Sequence, residues 1–292
     1  MVDLTSFVAD IDSLPMLPGS SAQLVAMLND RDLDMSEIAE IVRVDDALSM
    51  VVMRYANSAA YGSSSREFDL RESIVRLGSG SLLKLVLEQQ VSQVFSGGCQ
   101  AFELDRKSIW RGSIGGAVAA ENLAAQHCPE SKDLCFVTGL VRDVGKLVLD
   151  QKYGSDYALS VSEKLSLTTT FVEAERLAFG TDHAEVGAAL CRHWGLPDRI
   201  AHAVQHHHAP IAEGQGHDQL TDIVHAADII ALWSGIGIGS DGLQYELAKH
   251  VKLSLKLSRR TAEKEIASMW STVGKIEEAL GMNSADHERN AA

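Results

Sequence analysis

The 292-residue chain lacks what membrane insertion, export or nucleic-acid binding would require. No stretch approaches the roughly 20 consecutive apolar residues of a membrane-spanning helix. The N-terminal segment MVDLTSFVADIDSLPMLPGS has acidic residues where a signal peptide would have a positive segment and then an apolar run, so it does not read as one. Basic residues are in deficit, 26 Lys and Arg against 40 Asp and Glu, for a formal net charge of −14. Phosphate backbones are gripped by clustered Lys and Arg, so this balance disfavours a nucleic-acid partner. Paired cysteines are missing too. Cys99, Cys128, Cys135 and Cys191 are scattered without a Cys-x-x-Cys, which removes zinc ribbons and thioredoxin-like motifs and fits a reducing cytoplasm. Period-two alternation is nearly absent, and with it any persuasive strand.

What remains is helical periodicity almost throughout, so the expected class is all-α, with many short helices rather than a bundle of a few long ones. Helical spacing marks 20–30, 34–45, 46–61 and one or two helices in 71–95, interrupted by Gly and Ser at 78–81. Asp34 and Glu37 have capping-box spacing. The turn SGGC (96–99) is the expected subdomain boundary. Beyond it, 105–128 reads as a long helix whose small residues permit close packing, and 132–150 as one buried helix. Segment 169–180 has a second capping box, Thr170 and Glu173, with Gly180 as its stop. Further helices are expected at 182–195, 197–209, 218–235, 241–253 and 258–280, and the last twelve residues read as a disordered tail. The resulting division is 1–98, 99–235, a C-terminal helical extension 236–280, and the tail 281–292. GIGIGS (235–240) has no preceding strand and reads as a linker rather than a dinucleotide loop.

Candidate chemistry is concentrated in the second half. His183, His193, His202, His206, His207, His208 and His225, with Asp143 and Asp228, are raw material for an imidazole- and carboxylate-rich site suited to iron, manganese or zinc. His202 and His206 are spaced for one helical face, as are His225 and Asp228. Three consecutive histidines cannot share a face, so at most two of His206–His208 can point into a site, and Pro210 suggests a helix end there. In GLVRDVGKLV (139–148), Arg142 and Asp143 sit in an apolar segment and must be paired, solvated or committed to chemistry.

Residues 10–235 resemble the HDOD family, relatives of the HD-type metal-dependent phosphohydrolases. The resemblance is carried by Asp46-Ala47-Leu48, Ala56-Asn57-Ser58-Ala59-Ala60-Tyr61-Gly62 and Ser73-Ile74-Val75-Arg76-Leu77-Gly78. Its second half is WRGSIGGAVAAENLA, GLVRDVGKLVL, DHAEVGAALCRHWGLPDRIAHAVQHHHAP and VHAADIIAL. It implies an HD-like multi-helical fold in which an N-terminal helical subdomain packs on an HD-type half. It also implies a metal site whose first histidine falls on Gly112, whose His-Asp doublet is Arg142-Asp143, and whose later Asp is Asp228, with His183 and one or two of His206 and His207 as further ligands. Gly112 has no side chain, and a guanidinium offers a metal no lone pair. The resemblance therefore implies a non-catalytic signalling module in a bacterial cytoplasm, with a protein partner or a cyclic dinucleotide as ligand and no cofactor required; separately, the amphipathic SRRTAEKEIASMW reads as a solvated surface helix or as a dimerisation element. Arg142 would pair with Asp143, Asp228 or Glu185 in place of the ion, or would hold phosphate together with Lys146. The alternative is a metal-dependent phosphohydrolase acting through a rearranged set of Asp143, His183, His206, His207 and Asp228.

Overall fold

The structure, a computed structural model, describes residues 106–279 apart from 166–168, 213, 215–216 and 238–244, together with 46–56, 72–78 and isolated positions between 38 and 85. Among these residues the fold is all-α. After α1 (Asp46–Ala56) come α2 (Arg106–His127), α3 (Lys132–Val141), α4 (Val144–Tyr153), α5 (Ser155–Ser162) and α6 (Phe171–Phe179). The order continues with α7 (His183–His193), α8 (Asp198–His206), α9 (Gln219–Trp233), α10 (Lys249–Ser254) and α11 (Arg259–Ala279). No helix of the described residues is long and apolar enough to cross a membrane. The capping box at Asp34, the boundary near 96–99 and the tail 281–292 lie outside the described residues.

Helix α2 is the axis of the fold because it is apolar around most of its circumference. Ile109, Trp110, Ile114, Ala117, Val118 and Leu123 are all buried, and a helix of this kind is stable only when surrounded. Its small residues let neighbours approach closely, as expected. A Cβ on Gly139 of α3 would lie 2.9 Å from the Gly116 carbonyl oxygen, and one on Gly115 would lie 2.9 Å from Ile236. Helix α9 is buried from Leu220 to Leu232 and packs on another side of α2. The outer side is covered by α11, through buried Met269 and Val273 and an Arg111 Nε–Glu277 Oε1 ion pair of 2.6 Å.

Local signals were obeyed where they are strong. Thr170 accepts from the Glu173 amide while Glu173 accepts from the Thr170 amide, and Gly180 closes α6 with φ +73°. The single helix expected over 132–150 is in fact two, with the break at Arg142–Asp143. Gly145 lies within α4, where a Cβ would run into the His183 carbonyl oxygen and stand 2.6 Å from the Gly187 amide, so it serves the α4–α7 crossing rather than a turn. Helix α10 starts at Lys249, later than the expected 241–253, and α5 occupies a stretch for which no helix was anticipated. The described part of the GIGIGS segment is a turn with φ +83° at Gly235 and +64° at Gly237.

Candidate functional site

The break between α3 and α4 sets the Arg142-Asp143 doublet where it meets Gly112 of α2, His183 of α7 and Asp228 of α9. Arg142 is 3% exposed. Its Nε donates to Asp228 Oδ1 at 2.7 Å, and its Nη1 and Nη2 donate to the carbonyls of Gly139 (2.7 Å) and Gly112 (3.2 Å). The same Nε lies 3.2 Å from Asp143 Oδ2, so one guanidinium bridges a carboxylate at the α3–α4 break and one on α9. Room for it exists only because residue 116 is glycine: a Cβ there would overlap the guanidinium. Of the three acids the sequence offered Arg142, Asp228 and Asp143 are taken, while Glu185 instead accepts from Thr181 Oγ1 at 3.0 Å.

Asp143 also meets Lys146 Nζ at 3.0 Å from Oδ1. Burial alone would push its carboxyl up. The ammonium of Lys146 and the guanidinium of Arg142 outweigh that and hold it well below the usual carboxylate range. Both cations are engaged by these carboxylates in the structure.

A second compartment adjoins the first. One ligand atom each from Asp143, His183, His207 and His208 lies within 4.8 Å of all the others, a three-imidazole, one-carboxylate set. His183, at the start of α7, is fully buried, and its Nδ1–H donates to Glu175 Oε2 at 2.7 Å. The His183 backbone N–H donates to the same oxygen at 3.0 Å, and the Tyr157 hydroxyl donates to Glu175 Oε1. Burial pushes the His183 imidazole down, but the charge and hydrogen bond of Glu175 raise it overall. His207 donates from Nδ1 to the Val204 carbonyl at 2.6 Å, which leaves its buried Nε2 with no hydrogen-bond partner. Burial pushes the His207 imidazole down to about 4, and His208, beside His207 and His183, lies well below the ordinary value. His208 Nε2 is 2.8 Å from His183 Nε2, and its ring stacks on Tyr245.

This arrangement changes the sequence-derived ligand set. His206 ends α8 and faces His202, with ring centroids 4.6 Å apart, while His207 and His208 turn inward beyond the helix end. The physical reason is helical phase: His206 keeps the i, i+4 partnership of its own helix, and only residues past the last turn can change direction. Asp228 lies beside the cluster but is occupied by Arg142, standing 3.9 Å from His208 Nδ1. His225 spends both nitrogens structurally: Nδ1–H donates to the His207 carbonyl at 2.7 Å and Nε2 accepts from the Ala248 amide at 2.9 Å. Gly112 reaches the site through its carbonyl. A Cβ on it would first meet Gly237 Cα at 3.2 Å, so the backbone of the 235–237 turn occupies the space before it. Glu175 and Tyr157 went unrecognised in the sequence, where a Glu inside an amphipathic helix carries no signal of burial. The donor set and the orphaned Nε2 of His207 fit a divalent cation.

The family model described as HDOD domain matches residues 14–210. A solved HDOD domain protein with unknown function from Geobacter sulfurreducens superposes with a TM-score of 0.73 at 25% identity, covering 94% of this chain and 95% of that one. A "Putative signal transduction protein" from Marinobacter aquaeolei VT8 gives 0.72 at 21%, covering 93% and 60%. A "Putative phosphohydrolase" from Shewanella amazonensis SB2B gives 0.64 at 21%, covering 91% and 97%, and at such identities the latter two share the fold. Among curated proteins, an uncharacterized protein of Treponema pallidum (strain Nichols) is 25% identical over 216 residues, 70% of this chain but only 40% of that protein's length.

Proposed function

The chain belongs to the HDOD family, and on that premise we propose that it is a non-hydrolytic regulatory module of bacterial signal transduction, acting in the cytoplasm on a protein partner or a small signalling ligand. The observation that carries this reading is the Arg142 guanidinium bound between Asp228 and Asp143. Metal-assisted hydrolysis needs carboxylates free to hold an ion and an open position for the water it activates. Here the two carboxylates already neutralise a cation that has no lone pair and no exchangeable coordination position. The centre of an HD-type enzyme is thereby degenerate, closed by charge rather than by metal, and the helices around it survive as a scaffold.

The test is turnover and binding on the full chain. With manganese or iron(II) supplied, cyclic di-GMP and simple nucleotides are expected to remain intact. Calorimetry with cyclic di-GMP then separates a dinucleotide-sensing module, which binds without turnover, from one that answers only to a protein partner. Hydrolysis that disappears in Asp143→Asn would overturn the reading. A second reading, a phosphohydrolase working through a rearranged site, is favoured by one observation, the Asp143, His183, His207 and His208 cluster. It predicts turnover lost in His183→Gln.

A further inference from the structure

We propose that the corner where α9, α10 and α11 meet is a docking site for an acidic segment of a partner protein, which seats one large apolar side chain in a pocket and sets its carboxylates against the surrounding cations. The proposal names the chemistry of the partner and rests on the reading above in one respect, that the module acts on a protein.

The pocket is lined from Trp233 to Ile266, beyond the residues 14–210 that the family model matches. Its volume of about 250 Å³ falls short of the roughly 300–1,000 Å³ usual for small-molecule sites and suits a single Leu or Phe side chain. Leu257 and Ala262, each 6% exposed, form its inner side. Trp233, at the end of α9, is 48% exposed and lines its open side. A half-open tryptophan beside enclosed apolar surface is the usual makeup of an interface anchor, because its ring can bury a large area. Apolar surface extends past the pocket: Leu253 of α10 is exposed, and so is Trp270, one turn beyond Ile266 on α11. The amphipathic SRRTAEKEIASMW segment thus carries part of this face rather than only a solvated one.

Charge selects the occupant. Between Leu247 and Ala262 there is no Asp or Glu, yet five of the chain's 26 Lys and Arg stand there: Lys249, Lys252, Lys256, Arg259 and Arg260. All five are exposed. In a chain of net charge −14 this is a local inversion of sign. Lys252 and Arg259 line the pocket itself. Glu263, the acid on the lining, takes only the Arg259 Nε, at 2.8 Å, which leaves both Nη groups for an incoming carboxylate. Lys256 is the only non-glycine residue with positive φ, +50°, among the described residues. Its amide donates to the Leu253 carbonyl and that of Leu257 to the Lys252 carbonyl, a helix ending that ordinarily carries glycine. A lysine there keeps a cation on the corner although glycine would sit with less strain. A second copy presenting the same face would set like charges against each other. An anionic bilayer would attract the corner but repel the rest of an acidic chain. A narrow acidic segment meets the basic patch alone.

The experiment measures fluorescence anisotropy of the full chain with a labelled helical peptide of about 15 residues, bearing Leu and Phe at i, i+4 spacing among Asp and Glu. Its counterpart has every Asp and Glu replaced by Lys. The acidic peptide is expected to bind at least about 10-fold more tightly, and to lose about 10-fold in 0.5 M salt. Trp233→Ala is expected to weaken it by about 10-fold or more. Lys252→Glu/Arg259→Glu is expected to reverse the preference, a gain for the basic peptide that a folding defect cannot mimic. Equal binding of the two peptides, an unchanged affinity in Trp233→Ala, or a retained preference in the double variant would each overturn the proposal. So would tighter binding to phosphatidylglycerol vesicles than to the peptide, or self-association in sedimentation that the double variant abolishes, since either gives the face to another occupant. Failure of the functional reading looks different: hydrolysis of a cyclic dinucleotide refutes that reading and leaves peptide docking standing, while an inactive chain without peptide preference does the reverse.

Discussion

Replacing Arg142 by Met tests the centre most directly. Methionine keeps most of the stem volume and removes only the guanidinium, so the change isolates charge from packing. In the native fold that charge meets Asp228 at 2.7 Å and Asp143 at 3.2 Å, and the Arg142 and Asp228 side chains are 3% and 5% exposed. Breaking a buried pair by deleting one member costs about 3–5 kcal/mol, because the other charge is left uncompensated. At roughly 2–4 °C per kcal/mol for a chain of this size, the melting temperature should fall by about 6–20 °C. The measurement belongs at pH 7, well above the ordinary carboxylate value near 3.9, where the depressed Asp143 contributes its full stabilisation. That contribution is lost only as pH falls below this value toward the folded one. Urea denaturation of wild type, Arg142→Met and Arg142→Met/Asp228→Leu gives the decisive comparison. The double variant should recover most of the loss, since an apolar pair of similar volume needs no counter-charge. Raising salt from about 0.05 to 1 M should barely alter the difference, because buried pairs are poorly screened. An Arg142→Met midpoint within about 0.5 kcal/mol of wild type would refute the reasoning.

Three further expectations follow from the same geometry. Gly116→Ala forces a methyl into the guanidinium and should cost about 1–3 kcal/mol by overpacking; in the Arg142→Met background the cost should shrink, and an additive double-mutant cycle would show that the two sites do not touch. His207 is depressed to about 4, so between that value and the unfolded value near 6.5 the unfolded chain binds the extra proton and stability rises with pH, by about 3 kcal/mol in all. His207→Phe should flatten the urea midpoint over that window, and a slope unchanged by the substitution would reassign the effect to other groups. Gly145→Ala must separate α4 from α7 at the His183 carbonyl, and circular dichroism melts should show a loss of at least about 3 kcal/mol.

The local signals of α6 are legible because each residue and its partner lie within about one turn. Thr170, Glu173 and Gly180 define both ends of α6 through contacts no more than four residues apart. The awkwardness of Arg142-Asp143 in an apolar stretch was visible, because an unpaired charge there is costly in any fold. Its resolution was not visible: Arg142 pairs across 86 residues with Asp228, and the helix breaks at the doublet itself. The inward turn of His207 and His208 depends on where α8 ends, and a run of three histidines carries no information about helical phase. Glu175 is a more complete case, since its partners Tyr157 and His183 come from other helices and no spacing along the chain links them.

The sequence by itself determined that this is an all-helical chain with a glycine-rich central helix and a histidine-rich second half, because periodicity, caps and residue size act locally. Tertiary structure alone decided which side chains meet: that a guanidinium occupies the gap over Gly116, that the Gly237 turn fills the space before Gly112, and that three imidazoles and Asp143 share one compartment. Those outcomes depend on where whole helices cross, and a crossing is set by the packing of both partners together.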